Sequence, residues 1–231
     1  MNKNLSEDAY DNIRTDILSG KLLPNERLQI DAVSERYAIG AVPIREALNR
    51  LSAAGLVARR SNRGFCVSPI SISRLEELVK TRIWLETLAL SESIKNGDDD
   101  WEERLVVGYH RLARTQRRLP KDGCKDLSVQ WEDNHKAFHM TLIERCESSW
   151  LLGFCSNLMD EAVRYRNLSM NRNPSKQRRE GAAAEHKEIL DAVLERDTVN
   201  SCQLLEKHYR VTLDGLKTLD LPEASDLERT D

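Results

Sequence analysis

The sequence predicts a mainly α protein in two parts, an N-terminal winged helix-turn-helix followed by an antiparallel all-α bundle of about six helices. Three observations carry that expectation. Apolar residues recur at helical spacing in block after block from Leu75 to Leu216. The one pair of short strand-like runs, Leu56 to Arg60 and Gly64 to Ser68, follows directly on three short helical blocks. Four of the five histidines stand at spacings that helices could bring together.

Leu5 to Ser19 carries Ala9, Ile13, Ile17 and Leu18 on one helical face and is stopped by Gly20, with Leu23-Pro24-Asn25 making the next turn. Asp31 to Tyr37 reads as a short second helix. A turn around Ile39-Gly40-Ala41 leads to a third, with Pro43 in its first turn, where a missing N–H is tolerated, and Ile44, Ala47, Leu48 and Leu51 on the inner face. Gly55 ends it. The two strand-like runs are joined by Ser61-Asn62-Arg63-Gly64, a hairpin wing with a basic tip. The third helix turns Arg45, Asn49 and Arg50 outward. An arginine near the start of such a helix can bond a guanine edge through two donors, while wing arginines hold phosphates or the minor groove. The expected partner is double-stranded DNA; the blander alternative is a winged helix used for protein contacts.

From Ser71 the pattern is helical throughout, in runs Leu75 to Ile94, Trp101 to Leu119, Leu127 to Glu144, Trp150 to Leu168, Arg178 to Glu195 and Val199 to Leu216. They are separated by Asn96-Gly97-Asp98, Pro120-Lys121-Asp122-Gly123, Glu147-Ser148-Ser149, Asn171-Arg172-Asn173-Pro174 and Arg196-Asp197-Thr198, with Thr198 able to cap the last helix. No strand-like alternation is expected between them. The domains therefore read as 1–69 for DNA binding, 70–73 as linker, 74–218 as the bundle, and 219–231 as an acidic tail expected to be disordered.

At 231 residues the chain can bury two cores. No apolar run approaches the roughly 20 residues of a membrane span, and the start, Met1-Asn2-Lys3-Asn4-Leu5, lacks the apolar centre of a secretion signal, so a cytoplasmic location is expected. Five cysteines without a Cys-x-x-Cys pair fit reduced thiols. The net charge of −3 divides unevenly: residues 1–69 hold ten Lys and Arg against eight Asp and Glu, a balance of +2, and the remainder carries −5. That asymmetry permits a local basic face without establishing one.

His135 and His139 are four apart, on one helical face about one turn from each other. His186 lies eleven residues before Asp197 and His208 eleven after it, so in an antiparallel hairpin both imidazoles stand at equal height, roughly 16 Å from the turn. One metal ion could collect all four rings. His110, in Tyr109-His110-Arg111, has no partner at ligand spacing. Were Glu132 or Asn134 to turn inward instead, His135 would be a bystander.

Pro43-Ile44-Arg45-Glu46-Ala47-Leu48-Asn49-Arg50-Leu51, followed by Gly55-Leu56-Val57 and Arg63-Gly64-Phe65-Cys66-Val67, resembles the DNA-binding domain of GntR-family bacterial repressors. The resemblance implies operator DNA as partner, a homodimer, and Arg45 and the wing as contacts. Where the family supplies a capping Ser, a base-reading Arg and a Thr before the proline, this chain has Gly40, Ala41 and Val42. That departure removes an arginine contact and two hydroxyls and implies a changed operator.

From about Arg74 to Leu216 the chain is similar to the FCD sensor domain of the FadR subfamily. The family places an Asp four residues before its first His; here His135 fills that place, and His139, His186 and His208 match the remaining ligands. The resemblance thus implies a divalent metal in an all-imidazole site, zinc or nickel by the softness of its donors rather than magnesium or calcium. It further implies a small organic acid effector held by arginines, since guanidinium forks grip carboxylates at two points. Arg82 matches the family's arginine, against a structural pairing with Glu86. Arg164 and Arg166 offer further cations, of which one can readily face inward. The strings Trp131-Glu132, Phe138-His139, Cys146-Glu147-Ser148-Ser149-Trp150-Leu151-Leu152 and Arg164-Tyr165-Arg166-Asn167-Leu168-Ser169 resemble the carbon-starvation-induced regulator branch. That implies a five-carbon dicarboxylate such as glutarate or 2-hydroxyglutarate.

Catalysis is not expected. A di-iron bundle enzyme needs two Glu-x-x-His motifs and the chain offers only Glu132-x-x-His135. A mononuclear metal hydrolase would need Glu185 as base, although it points about 100° away from His186 on a helix and no nucleophile motif accompanies it.

Overall fold

A computed structural model of the chain describes residues 4–60, 64–121, 124–127, 129–170 and 176–217. Arg63, the Asn171 to Pro174 turn and the tail 219–231 lie outside them. The chain divides into two compact units, the first running to Ile72 and the second beginning at Ser73.

The first unit is a winged helix-turn-helix. Its helices are α1 (Leu5–Leu18), α2 (Ile30–Tyr37) and α3 (Ala41–Ala53), and its sheet has the order β1-β3-β2, from β1 (Arg27–Leu28), β2 (Val57–Arg60) and β3 (Gly64–Val67), all antiparallel. One core unites them: Ala9, Ile13 and Ile17 of α1 meet Ile44, Leu48 and Leu51 of α3 and Leu28, Val57 and Phe65 of the sheet. Each fully buried Leu or Ile stabilises by about 1.5–3 kcal/mol. Asp16, almost buried on α1, accepts hydrogen bonds from Tyr37 Oη (2.8 Å) and Arg36 (3.1 Å), fixing α2 against α1. Ala38 ends α2 in the left-handed conformation (φ 54°) and so aims the turn toward α3. Strand β1 was not expected: two residues are too few to show a period.

The second unit holds α4 (Ile72–Asn96), α5 (Asp99–Arg114), α6 (Val129–Ile143), α7 (Ser149–Met170), α8 (Lys176–Leu194) and α9 (Thr198–Lys217). The expected six helices are present among the described residues. Between α5 and α6, however, β4 (Arg118–Lys121) and β5 (Cys124–Leu127) pair as an antiparallel hairpin, which overturns the expectation of uninterrupted helix and ends α5 at Arg114 rather than Leu119. The physical reason was in the sequence. Lys121 pairs with Cys124, the sequence between them reads Asp-Gly, and Asp-Gly is a strong hairpin signal.

Helix α5 packs on α6 and α8, α8 on α9, and α7 on α6 and α9. Asp98 caps α5 by accepting from Trp101 N at 2.9 Å. The buried Trp101 indole in turn donates to Thr141 O at 2.7 Å, joining α5 to α6. At the α8–α9 turn the cap is Asp197, not Thr198: Asn200 N donates to Asp197 Oδ1 at 3.0 Å, because Thr198 has already entered the helix. Arg196 takes the left-handed position there (φ 58°), its N–H bonding Val193 O while Asp197 N bonds Ala192 O. Its side chain donates to Ile94 O (2.6 Å), Gly97 O (3.0 Å) and Glu102 (2.8 Å), so the α8–α9 and α4–α5 turns are held together by one residue.

Candidate metal centre and nucleic-acid interface

Helix α3 buries Ile44, Ala47, Leu48 and Leu51 and therefore turns its other face outward, with Arg45, Asn49 and Arg50 all exposed. Gly40 is the N-cap and makes no side-chain cap bond, so the first amides of α3 stay open toward whatever lies at its start. Val42 beside it is 71% exposed. Arg45 and Arg50 are placed differently. Arg50 forks onto Glu7 of α1 (2.9 and 3.2 Å) and lies 4.3 Å over the Tyr10 ring, so its guanidinium fastens α3 to α1. In the wing, Gly64 is exposed with φ 76°, a conformation glycine adopts without strain, and Arg60 of the facing strand donates to Asn25.

In the second unit the four histidines converge. His135 and His139 come from one face of α6, His186 from α8 and His208 from α9, all buried, with one donor atom from each within 4.8 Å of every other. The hairpin argument is met in the geometry: the His186 and His208 rings lie 4.6 Å apart. His139 Nε2 and His186 Nε2 are 3.2 Å apart. Two imidazole nitrogens on a zinc ion, at bonds of about 2.0–2.1 Å, stand about 3.3 Å apart at the tetrahedral angle. The donor set thus fits one first-row divalent ion. Burial, and then the neighbouring imidazoles, hold His135 and His139 well below the usual histidine range, so both rings are neutral and offer lone pairs at physiological pH. Asn134 turns away to Thr115 and Glu132 to Arg166, so His135 is no bystander to the cluster. His110 is exposed and apart from it.

Two outer partners, missed in the sequence, set the ring orientations. Glu185 Oε2 lies 2.6 Å from His208 Nδ1, which commits the Nδ1 proton to Glu185 and leaves Nε2 for a metal. Tyr209, one residue on, donates its Oη proton to Glu86. Burial pushes the Tyr209 phenol well above its ordinary value, so it keeps that proton, and the 3.2 Å contact with His139 is made by Nδ1–H donating to the phenol oxygen. His139 Nε2 is thereby left bare. No linear signal marks Glu185: it lies 23 residues from His208 and about 100° around α8 from His186, and only the packing of α8 on α9 brings its carboxylate to the ring. Its engagement with His208 also removes it as a free general base.

The candidate effector arginines separate. Arg166 and Arg82 line a small cavity with His135, His139, Lys136, Met159 and Val163; Arg164 does not, and instead bonds Glu161 at 2.8 Å. Both readings of Arg82 hold together, since it lines the cavity and is ion-paired to Glu86 at 2.6 Å. The cavity has room for about one water molecule. Cys66, Cys146, Cys155 and Cys202 are free thiols, and no helix of the described residues is long and apolar enough to cross a membrane.

Residues 5–67 match bacterial regulatory proteins of the gntR family, and residues 77–211 match the FCD domain. The chain is 36% identical over 220 residues to the HTH-type transcriptional regulator BphR of Paraburkholderia xenovorans, covering 95% of this chain and 88% of the relative. It is 31% identical to the HTH-type transcriptional repressor GlaR of Escherichia coli, over 88% of this chain and 91% of that one. In fold it is similar to McbR/YncC of Escherichia coli, with a TM-score of 0.77 at 18% identity, covering 94% of this chain and 98% of the other.

Proposed function

From the premise that the chain belongs to the gntR family and is a DNA-binding transcriptional regulator with an FCD domain, not an enzyme, we propose that it is a metal-assisted, effector-controlled repressor. The observation that carries this reading is the set of four buried imidazoles with donor atoms within 4.8 Å of one another. His135, His139, His186 and His208 hold a divalent ion, zinc or nickel by donor softness, which supplies a cationic centre for a carboxylate. The effector is a small organic acid, a five-carbon dicarboxylate such as glutarate or 2-hydroxyglutarate, by resemblance to the carbon-starvation-induced regulator branch. Arg166 and Arg82 are its cationic neighbours, and Arg164, bonded to Glu161, is left out.

On DNA, Arg45 and Asn49 read base edges, the Arg63-Gly64 wing takes the backbone or minor groove, and exposed Val42 suits a thymine methyl. Arg50 holds α3 in place rather than reading a base. Two copies pair in the cytoplasm so that two heads meet two half-sites. In support, Trp84 and Leu88 on α4, and Trp150 and Phe154 on α7, are exposed apolar pairs one turn apart. Because the cavity has room for about one water, the effector-bound state must differ from this one, and that difference is what moves the heads out of register with the operator.

The test is fluorescence anisotropy on labelled DNA from the gene's upstream region at fixed salt, titrated with glutarate, 2-hydroxyglutarate and succinate. Arg45→Ala should abolish operator binding and keep acid binding; His186→Ala should keep operator binding and lose the response. Tight DNA binding unmoved by all three acids would discard the effector.

A further inference from the structure

Each cation lining the cavity beside the histidines is already neutralised from within the fold. Arg82 is paired with Glu86, Lys136 with Asp160 and Arg166 with Glu132. These pairs are not equivalent. Glu86 is 1% exposed and also receives Tyr209, which supports His139, so displacing it would undo a ring orientation. Lys136 presents a point charge, whereas Arg166 presents a fork that matches a carboxylate at two points. Glu132 sits in the first turn of α6, three residues before His135, and its Oε2 accepts from Arg166 Nη2 at 2.7 Å. A carboxylate thus stands on Arg166, which lines the cavity together with His135 and His139.

We propose that Glu132 is an internal stand-in for the effector's carboxylate, holding Arg166 until an organic acid displaces it. The inference rests on the effector reading above and states how that site is regulated: binding is an exchange of one carboxylate for another at Arg166. It links the effector to the helix that carries two of the four imidazoles, because Glu132 belongs to the first turn of α6. The cost of breaking the internal pair lowers the apparent affinity for the acid and sets the concentration at which the regulator responds.

The experiment is calorimetric titration of glutarate and 2-hydroxyglutarate into the zinc-loaded full chain, as wild type, Glu132→Gln and Asp133→Asn. Asp133 is exposed on the same helix, so its variant removes the same charge without freeing Arg166. Glu132→Gln should bind acid about tenfold more tightly, the scale of one charge-assisted hydrogen bond no longer broken. Asp133→Asn should bind as wild type. If the wild type binds acid and Glu132→Gln binds it no more tightly, or if Asp133→Asn gains equally, the exchange is overturned while the effector reading stands. If no protein binds either acid, the effector reading itself fails. Should Glu132→Gln not fold, Glu132→Asp withdraws the carboxylate by one methylene and is expected to gain in the same direction, with zinc affinity and melting temperature as controls.

Discussion

Replacing Glu185 by glutamine keeps the side chain's shape and removes its charge, which isolates what the carboxylate does for His208. The bond is 2.6 Å long, and the two side chains are only 15% and 5% exposed, so solvent screens it little. A hydrogen bond to a charged partner contributes about 1.5–3 kcal/mol and a neutral one about 0.5–1.5. The exchange therefore forfeits about 1–1.5 kcal/mol of support for the ring whose Nε2 faces the cluster, or about five- to tenfold in metal affinity. That falls at the lower edge of what outer partners of metal-bound histidines contribute. The assay is competition for zinc against a chromogenic chelator, with cobalt substitution reporting the donor set by its absorption. An affinity within about twofold of the wild type would refute the reasoning, because the tautomer of His208 would then be fixed by something other than Glu185.

Gly97→Ala should destabilise the second unit by about 3 kcal/mol or more, since the added Cβ would lie 2.1 Å from the Trp101 ring, which is buried and tied to Thr141; an unchanged urea midpoint would contradict this. Ala38→Gly should raise stability by about 0.5–1 kcal/mol, because an exposed alanine held at φ 54° loses a steric penalty and little packing; a lower melting temperature would count against it. The backbone N–H of Trp101 and then the Arg145 guanidinium hold the Asp98 carboxyl below its ordinary value. Its contribution is therefore present above the unfolded value and lost as pH falls through the folded one. Wild type should lose more melting temperature between pH 5 and about 3 than Asp98→Asn does, and parallel acid limbs would refute it.

Legibility followed the range of the signal. The winged helix was readable because its helices are amphipathic and its wing turn is local, and the boundaries of α1, α2 and α3 fall within a residue or so of the expected ones. The β4–β5 hairpin was not legible because the Asp-Gly signal in the sequence between its strands lies between helical runs and reads equally as a helix break. The four histidines were legible from spacing and symmetry about Asp197. Their partners were not: Glu185 and His208 lie 23 residues apart and Tyr209 and Glu86 lie 123 apart, and nothing in a linear pattern pairs a carboxylate with a distant ring. Choosing between Arg164 and Arg166 needed the helix's rotation, since residues two apart face about 200° from each other and the local sequence is symmetric about Tyr165.

The distances along the chain between the histidines carry a consequence of their own. His139 and His186 are 47 residues apart, so an ion shared between them would close a loop of that length as a cross-link does. In the chain-entropy description used for disulfides, such a closure disfavours the unfolded chain by about 4 kcal/mol. Unlike a disulfide, this link would open whenever a chelator or a metal-starved cell withdrew the ion. Helices α6, α8 and α9 would then lose that tie to one another, and the chain would meet proteases more often. Metal supply would thereby set how much of the regulator persists as well as how it responds.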